Sequence, residues 1–502
     1  MINVGPKDGS KEPFLFVPSQ EWLEDPTRRY LSISDPAAAR YTALSYCWGE
    51  KQQPFITTKE NFRQMEHGIL ISGLPKTLQD AVSITRRLGV QYLWVDAICI
   101  IQDDPADWGE ECGKMANVYR HALCTIAATS GRDVDAGCFI DRVGVQVHET
   151  EKYINSHLEA NDDDQTKPVC SPSWGISVLN APLNKRGWVL QERALSSRIL
   201  HWTEDALFWE CNTVKASEFQ PSDTISHRSK TATLDDEPLI YESDMRRLTP
   251  EDCTSWAWWG LLQNYSRRDL TRATDRLPAI SGIAQSIQHH IADRYLAGHW
   301  ESSLVKSLCW YVTPMAKIRP RPSPLEYIAP TWSWASPNLP VQFIFWAFNG
   351  GPILENPKPI AKLVGHKIIP KGQGPFSQVR HGCIRLSGKM CTITLPKYDP
   401  ESSRPYHFNL AGWKFSDPID FSNLDNLPIR YVDLDRQLEY GSRQLRCFQI
   451  CQLDRLFMPW KKTYGALVLE STEQPDQFKR LGWARLVSTD FEGSEEREIE
   501  LI

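Results

Sequence analysis

Asp96 is the residue of this chain whose setting most invites chemistry. It stands inside QYLWVDAICII (91–101), a run that is otherwise almost continuously apolar. A charge there is costly unless it is paired or used, and α/β sheets hold their ligands beyond the carboxyl ends of their strands. Asp96 therefore reads as a site residue or as a cap on a neighbouring loop or helix. Glu111 comes next, in DDPADWGEE. On a helical wheel it falls beside the stripe of Trp108, Cys112, Met115 and Tyr119, so it is expected to be half-buried. A partly desolvated carboxylate suits acid–base or electrostatic work, and a first-turn glutamate is equally favoured by the helix dipole.

Arg186, Trp188, Gln191, Glu192 and Arg193 form a third group in RGWVLQERAL. An arginine here could bind a phosphate, pair with Asp96 or Glu111, or hold an internal salt-bridge network. Cys47 and Cys99 could be nucleophiles, but both sit in apolar runs, where burial is the simpler reading. His121 and His201 stand alone and read as structural. P-loop, GxGxxG, GxSxG and HExxH patterns do not occur.

Positioning these residues requires a strand–helix alternation, and the chain supplies one. YTALSYCWG (41–49) reads as a buried strand and loop. LPKTLQDAVSITRRLG (74–89) reads as a helix, with Leu78, Ala81, Val82, Thr85 and Leu88 on one face and Gly89 as the stop. Strands at 42–47, 92–99 and 123–128 are predicted to lie side by side in a mostly parallel sheet, covered on both faces. A helix is predicted over 108–122, capped by Asp107. A short helix over 188–195 and strands at 198–203 and 206–211 complete this part. Residues 1–40 read as a loose lead-in with short strands at 13–16 and 30–33. Residues 130–182 read as a surface insertion, and 212–250 as a linker. A helical, Trp- and Pro-rich region is predicted over 251–340. Residues 341–502 should be β-rich, with strands at 382–395, 465–472 and 480–488.

The bulk figures set limits on function. With 502 residues, several domains are expected. The 56 Lys+Arg against 62 Asp+Glu leave a net charge of −6, which disfavours a general nucleic-acid binder. An apolar stretch of membrane-spanning length is absent from the sequence, and MINVGPKDGSKEPF lacks the order of a signal peptide. The 13 cysteines are an odd number without disulfide-like spacing. They read as reduced, in a cytoplasmic setting, with no zinc site. The 19 tryptophans predict Trp-rich cores.

Three blocks of this chain resemble the fungal heterokaryon incompatibility (HET) domain: YTALSYCWG, then LPKTLQDAVSITRRLGVQYLWVDAICIIQDDPADWGEECGKMANVYRHALCTIAA, then RGWVLQERALSSRIL. The resemblance covers about 41–211. It implies non-self recognition and programmed cell death, and a remote likeness to Toll/interleukin-receptor (TIR) domains, some of which hydrolyse NAD. The fold it implies is a TIR-like α/β domain. Carried over residue by residue, it implies Glu111 and Asp96 as catalytic, Glu111 following Trp108 by three positions where the TIR glutamate follows its tryptophan by about four. It marks Ser45, Trp48, Gly49, Gln102, Asp103, Arg186, Gln191 and Arg193 as ligand-binding positions, and Trp188 and Glu192 as further matches. No metal and no cofactor are implied, NAD being a substrate. Three functions follow: a toxic effector cleaving a nucleotide, a non-enzymatic module binding itself or other incompatibility proteins, and a protein recruited to secondary metabolism with an apolar pocket. For the first, Asp96, Glu111 and Arg186 or Arg193 are expected to converge on one cleft.

Overall fold

In the computed structural model, residues 1–17, 40–49, 55–142, 174–219, 248–313, 326–343, 355–372, 374–395, 407–409, 431–435, 443–455 and 462–502 are described. The chain forms two compact units, Met1–Glu237 and Pro238–Ile502.

The first unit is built on one sheet. Its centre is β3 (Tyr41–Ser45), flanked by β4 (Tyr92–Trp94) on one side and β5 (Cys124–Ala127) on the other, with β6 (Arg198–Trp202) beyond β5. All three of these pairings are parallel. Only this centre is parallel. β1 (Ile2–Asn3) and β2 (Phe14–Leu15) extend the sheet antiparallel past β4, and β7 (Leu207–Cys211) and β8 (Lys215–Ser217) extend it antiparallel past β6. The sheet is therefore mixed and not mostly parallel. β2 lies within the strand predicted at 13–16, β1 is too short to show a period, and Lys215–Ser217 joins the sheet from within the expected linker. The predicted strand at 30–33 lies outside the described residues.

Helix α1 (Lys76–Arg87) crosses from β3 to β4 and buries Leu78, Ala81, Val82 and Ile84 against Leu44, Val95 and Ile126 on one face of the sheet. It follows Pro75 and ends before Gly89, whose φ of +70° suits a glycine. Helix α3 (Pro105–His121) covers the opposite face, burying Met115 and Tyr119 over Ala43 and Trp94. Its N-cap is Asp104, which accepts from the Ala106 amide at 3.0 Å, and Pro105 takes the first helical position. The predicted cap, Asp107, instead accepts from the Ile101 amide. The predicted strand 92–99 stops at Trp94, and Asp96–Cys99 form a helical turn, α2. A short apolar run does not distinguish strand from buried helix. Helix α4 (Gly187–Leu195) joins β5 to β6 beside α3. The ends of the 130–182 insertion pack inward, with Val134, Cys138, Trp174 and Val178 all buried.

In the second unit, helices Trp258–Ser266 and Ser281–Ile291 accompany a hairpin, Tyr295–Leu296 with His299–Trp300. Gly298 in its turn has φ +101°, and its carbonyl accepts from Trp258 and Trp334, each at 2.9 Å. A Cβ at Gly298 would stand 2.4 Å from Trp334 Nε1. The tryptophans of APTWSWAS, Trp332 and Trp334, are fully buried. The predicted strands appear at Val379–Leu395, Thr463–Ser471 and Gln477–Val487, with Lys362–Pro370 and Arg443–Arg455 in addition. These strands belong to a sheet that is antiparallel except where Gln477–Phe478 runs beside Glu500–Leu501. No helix among the described residues is long and apolar enough to cross a membrane.

Candidate functional site

The connections from β3 and β5 leave toward opposite faces of the sheet, α1 on one and α4 on the other. The carboxyl ends of these two strands thus form the switch point at which doubly wound sheets bind ligands. Ser45 and Ala127 are partners there. The residues following Ser45 are too apolar and too close to the core to leave; Tyr46 and Cys47 stay buried, Trp48 is half-buried, and Gly49 is exposed. Gly49 has φ +90°, and its backbone passes so close to Asp133 that a Cβ would meet the Asp133 Cβ at 2.7 Å.

Four charged or polar side chains converge on this end. Glu192, on the inner face of α4 and 6% exposed, accepts a hydrogen bond from Ser45 Oγ at 2.5 Å. Arg186, just ahead of α4, donates to the Tyr46 carbonyl. Asp96, in the turn after β4, accepts from Trp48 Nε1 at 3.0 Å and from the Ala97 amide at 2.7 Å. Gln102 donates to the Asp96 carbonyl at 3.0 Å and so braces that turn. Asp96 and Arg186 are each half-buried.

Burial sets the electrostatics. It pushes the Glu192 carboxyl up to about 7, against the opposing pull of the Arg186 charge and the Ser45 hydrogen bond; the charge of Asp96 adds to the rise. Asp96 is raised by the same cause, again opposed by Arg186. Burial works against the Arg186 charge, yet Glu192, Cys47 and Asp96 outweigh it, so its guanidinium holds its proton more firmly than usual. Burial also raises Tyr119, whose hydroxyl donates to the Leu44 carbonyl at 3.0 Å. Cys47 is raised by burial, so its thiolate is disfavoured. A carboxyl group near neutrality, next to a guanidinium and a hydroxyl, can exchange a proton or face a developing positive charge.

Asp96, Arg186, Ser45 and Trp48 lie around the end of β3, with Gln102 and Gly49 at its edges. Glu111 does not join them. Its carboxylate is taken by Lys114 Nζ at 2.9 Å on the partly exposed side of α3. The α3 residue that reaches the cluster is Tyr119, eight positions on, which is roughly 12 Å along the axis. Asp103 accepts from the Lys59 amide at 2.9 Å and holds a loop. Gln191 is fully buried in α4.

Arg193 belongs to a separate network. Its guanidinium grips Glu210 through two bonds, Nε at 2.8 Å and Nη2 at 3.0 Å. His201 Nε2 lies 2.9 Å from the same carboxylate, and its Nδ1 lies 3.2 Å from Thr129 Oγ1. Burial lowers His201, disfavouring its charged form, while Glu210 overcomes burial through Arg193 and sits well below the carboxylate range. Between this network and Ser45 lies a cavity of about 10 Å³, lined by Ser45, Thr125, Asn184, Val189, Arg193 and His201. It has room for about one water. Among the described residues, no group of three or more His, Cys, Asp or Glu is placed to hold a metal ion.

Sequence reasoning passed over Glu192 as a catalytic candidate. Glu192 follows Trp188 by four positions, and Glu111 follows Trp108 by three. Residues 41–192 match the family model described as heterokaryon incompatibility protein (HET). No curated protein and no solved structure matches the chain.

Proposed function

The chain carries a HET domain over residues 41–192, and we propose that this domain is an effector that hydrolyses the nicotinamide–ribose bond of NAD, with Glu192 as its central carboxylate. The observation that carries the reading is Glu192 itself: a buried carboxyl near neutrality at the switch point, held by Ser45 and countered by Arg186. The remote likeness of HET domains to TIR domains supports it. The TIR tryptophan-to-glutamate spacing of four fits Trp188 and Glu192, on the helix after the third parallel strand, better than Trp108 and Glu111.

In this reaction the C–N bond breaks with its electron pair passing to the nicotinamide ring. Water adds to the ribosyl carbon and its proton goes to the Glu192 carboxylate. Before that, the ionised carboxylate stabilises the oxocarbenium-like centre. Arg186 fixes the local charge, Ser45 orients the carboxylate, and Asp96 with Trp48 forms the rim over which the nucleotide enters. Toxicity of this kind, released in the cytoplasm on contact with a non-self partner, would produce the cell death implied for the family.

NAD consumption by the purified full chain tests the reading. Glu192→Gln should abolish it and Glu111→Gln should retain it. A wild-type protein that leaves NAD intact under activating conditions, or a Glu192→Gln protein that still cleaves it, sinks the proposal. A second reading, a non-enzymatic module that binds itself or another incompatibility protein, is favoured by the tight packing around Ser45, where the cavity is only about 10 Å³.

A further inference from the structure

Charge bookkeeping at the switch point leaves a deficit. Two carboxyl groups, Asp96 and Glu192, face one guanidinium, Arg186, which is the strongest opposing charge on both. Arg193, the next residue after Glu192, is committed to Glu210 by two hydrogen bonds and cannot serve. The other titratable groups facing the cluster are Tyr46, Cys47 and Tyr119; burial disfavours the charged forms of Cys47 and Tyr119, while Asp133 beside Gly49 adds negative charge near Cys47. Arg132 and Lys185 stand at exposed positions, where water screens them. On the open side, Trp48 turns its indole N–H to Asp96, so the partly exposed ring lies next to that carboxylate.

We infer that this rim takes a cationic group, one planar enough to lie on the Trp48 indole with its charge beside Asp96. A ring cation there would meet a carboxylate and the most favourable aromatic face for cation–π attraction at once. It would also supply the positive charge that the two carboxyls otherwise share from Arg186 alone. The inference deepens the proposed site and rests on that reading only in choosing a pyridinium as the probe.

The test titrates the full chain calorimetrically with 1-methylnicotinamide, a pyridinium cation, and with neutral nicotinamide. The cation should bind more tightly at pH 8, by about fivefold or more. Asp96→Asn and Trp48→Ala should each erase that preference. Trp48→Phe, which keeps an aromatic face, should retain most of it, and melting curves establish that each variant is folded. The preference should shrink at pH 6, where a proton competes for the same charge deficit. Equal affinity for the two probes, no binding of the cation, or a preference that survives Asp96→Asn would overturn the inference. Cation preference in a protein that leaves NAD intact upholds it and sinks the hydrolytic reading; cleavage of NAD without cation preference does the reverse.

Discussion

Replacing Glu192 by Gln should make the first unit more stable at pH 8 than the wild type. The reason is the position of its carboxyl group, about 7 in the folded chain against an ordinary 4.5. Below 4.5 the group is protonated both folded and unfolded, and folding gains the full benefit of the neutral form. As the pH rises from 4.5 to about 7, the unfolded chain gives up the proton while the folded chain keeps it, so wild-type stability falls. Above about 7 the loss is complete. At about 1.36 kcal/mol for each pH unit, the gap corresponds to roughly 3 kcal/mol. Gln has the same shape and never ionises, so it escapes this loss. Its own cost is a weaker hold on Ser45 and on Arg186, of about 1–3 kcal/mol, and that cost does not vary with pH over this range.

The informative quantity is therefore the difference between variant and wild type as a function of pH, because titration of groups that do not interact with Glu192 cancels in it. Melting temperatures of the two full-length proteins from pH 5 to 8 would supply it. For a unit of this size, roughly 3 kcal/mol moves the transition by about 6–12 °C. The variant should gain on the wild type steadily from pH 5 to about 7 and then level off. A difference that stays constant from pH 5 to 8 would refute the buried, near-neutral carboxyl and with it the electrostatic argument for the site.

Glu111→Gln should cost less than about 0.5 kcal/mol in the same melting experiment, since it removes only a partly exposed i,i+3 pair with Lys114. Arg193→Met should cost about 3–5 kcal/mol, because it strands the Glu210 carboxylate in the core; a melting point within 2–3 °C of wild type, about the change expected from 1 kcal/mol, would contradict that network. Gly298→Ala should destabilise the second unit by at least about 1–3 kcal/mol, through its positive φ and the clash with Trp334. Hydrogen exchange at the Tyr295–Trp300 hairpin would locate the effect, and unchanged protection there would count against it.

The apolar runs around Leu44, Leu93 and Ile126 made the three central strands legible, because burial on both faces demands them. The stripes of α1 and α3 did the same for the helices, and the lone charge of Asp96 marked the carboxyl end of the sheet. The antiparallel flanks were legible only in part: the strands predicted at 13–16 and 206–211 contain β2 and β7, while Ile2–Asn3 and Lys215–Ser217 are too short to carry a period and are held by hydrogen bonds to their neighbours. Glu192 was hidden by its company. It lies among Arg186, Gln191 and Arg193, a density of polar groups that suggested a salt-bridge network, and half of that group is one. Only the path of the chain shows that Glu192 faces Ser45 while Arg193 faces Glu210.

That division has a mechanical consequence. Consecutive residues on α4 point about 100° apart, so one turn carries both the near-neutral carboxylate and the two-pronged grip on Glu210. Any rotation of α4 that swung Glu192 toward solvent would first have to break a buried ion pair whose loss costs several kcal/mol. The helix is thus keyed like a shaft in a slot. Control over this site has to act at the Trp48–Asp96 rim and not by turning the helix that bears the carboxylate.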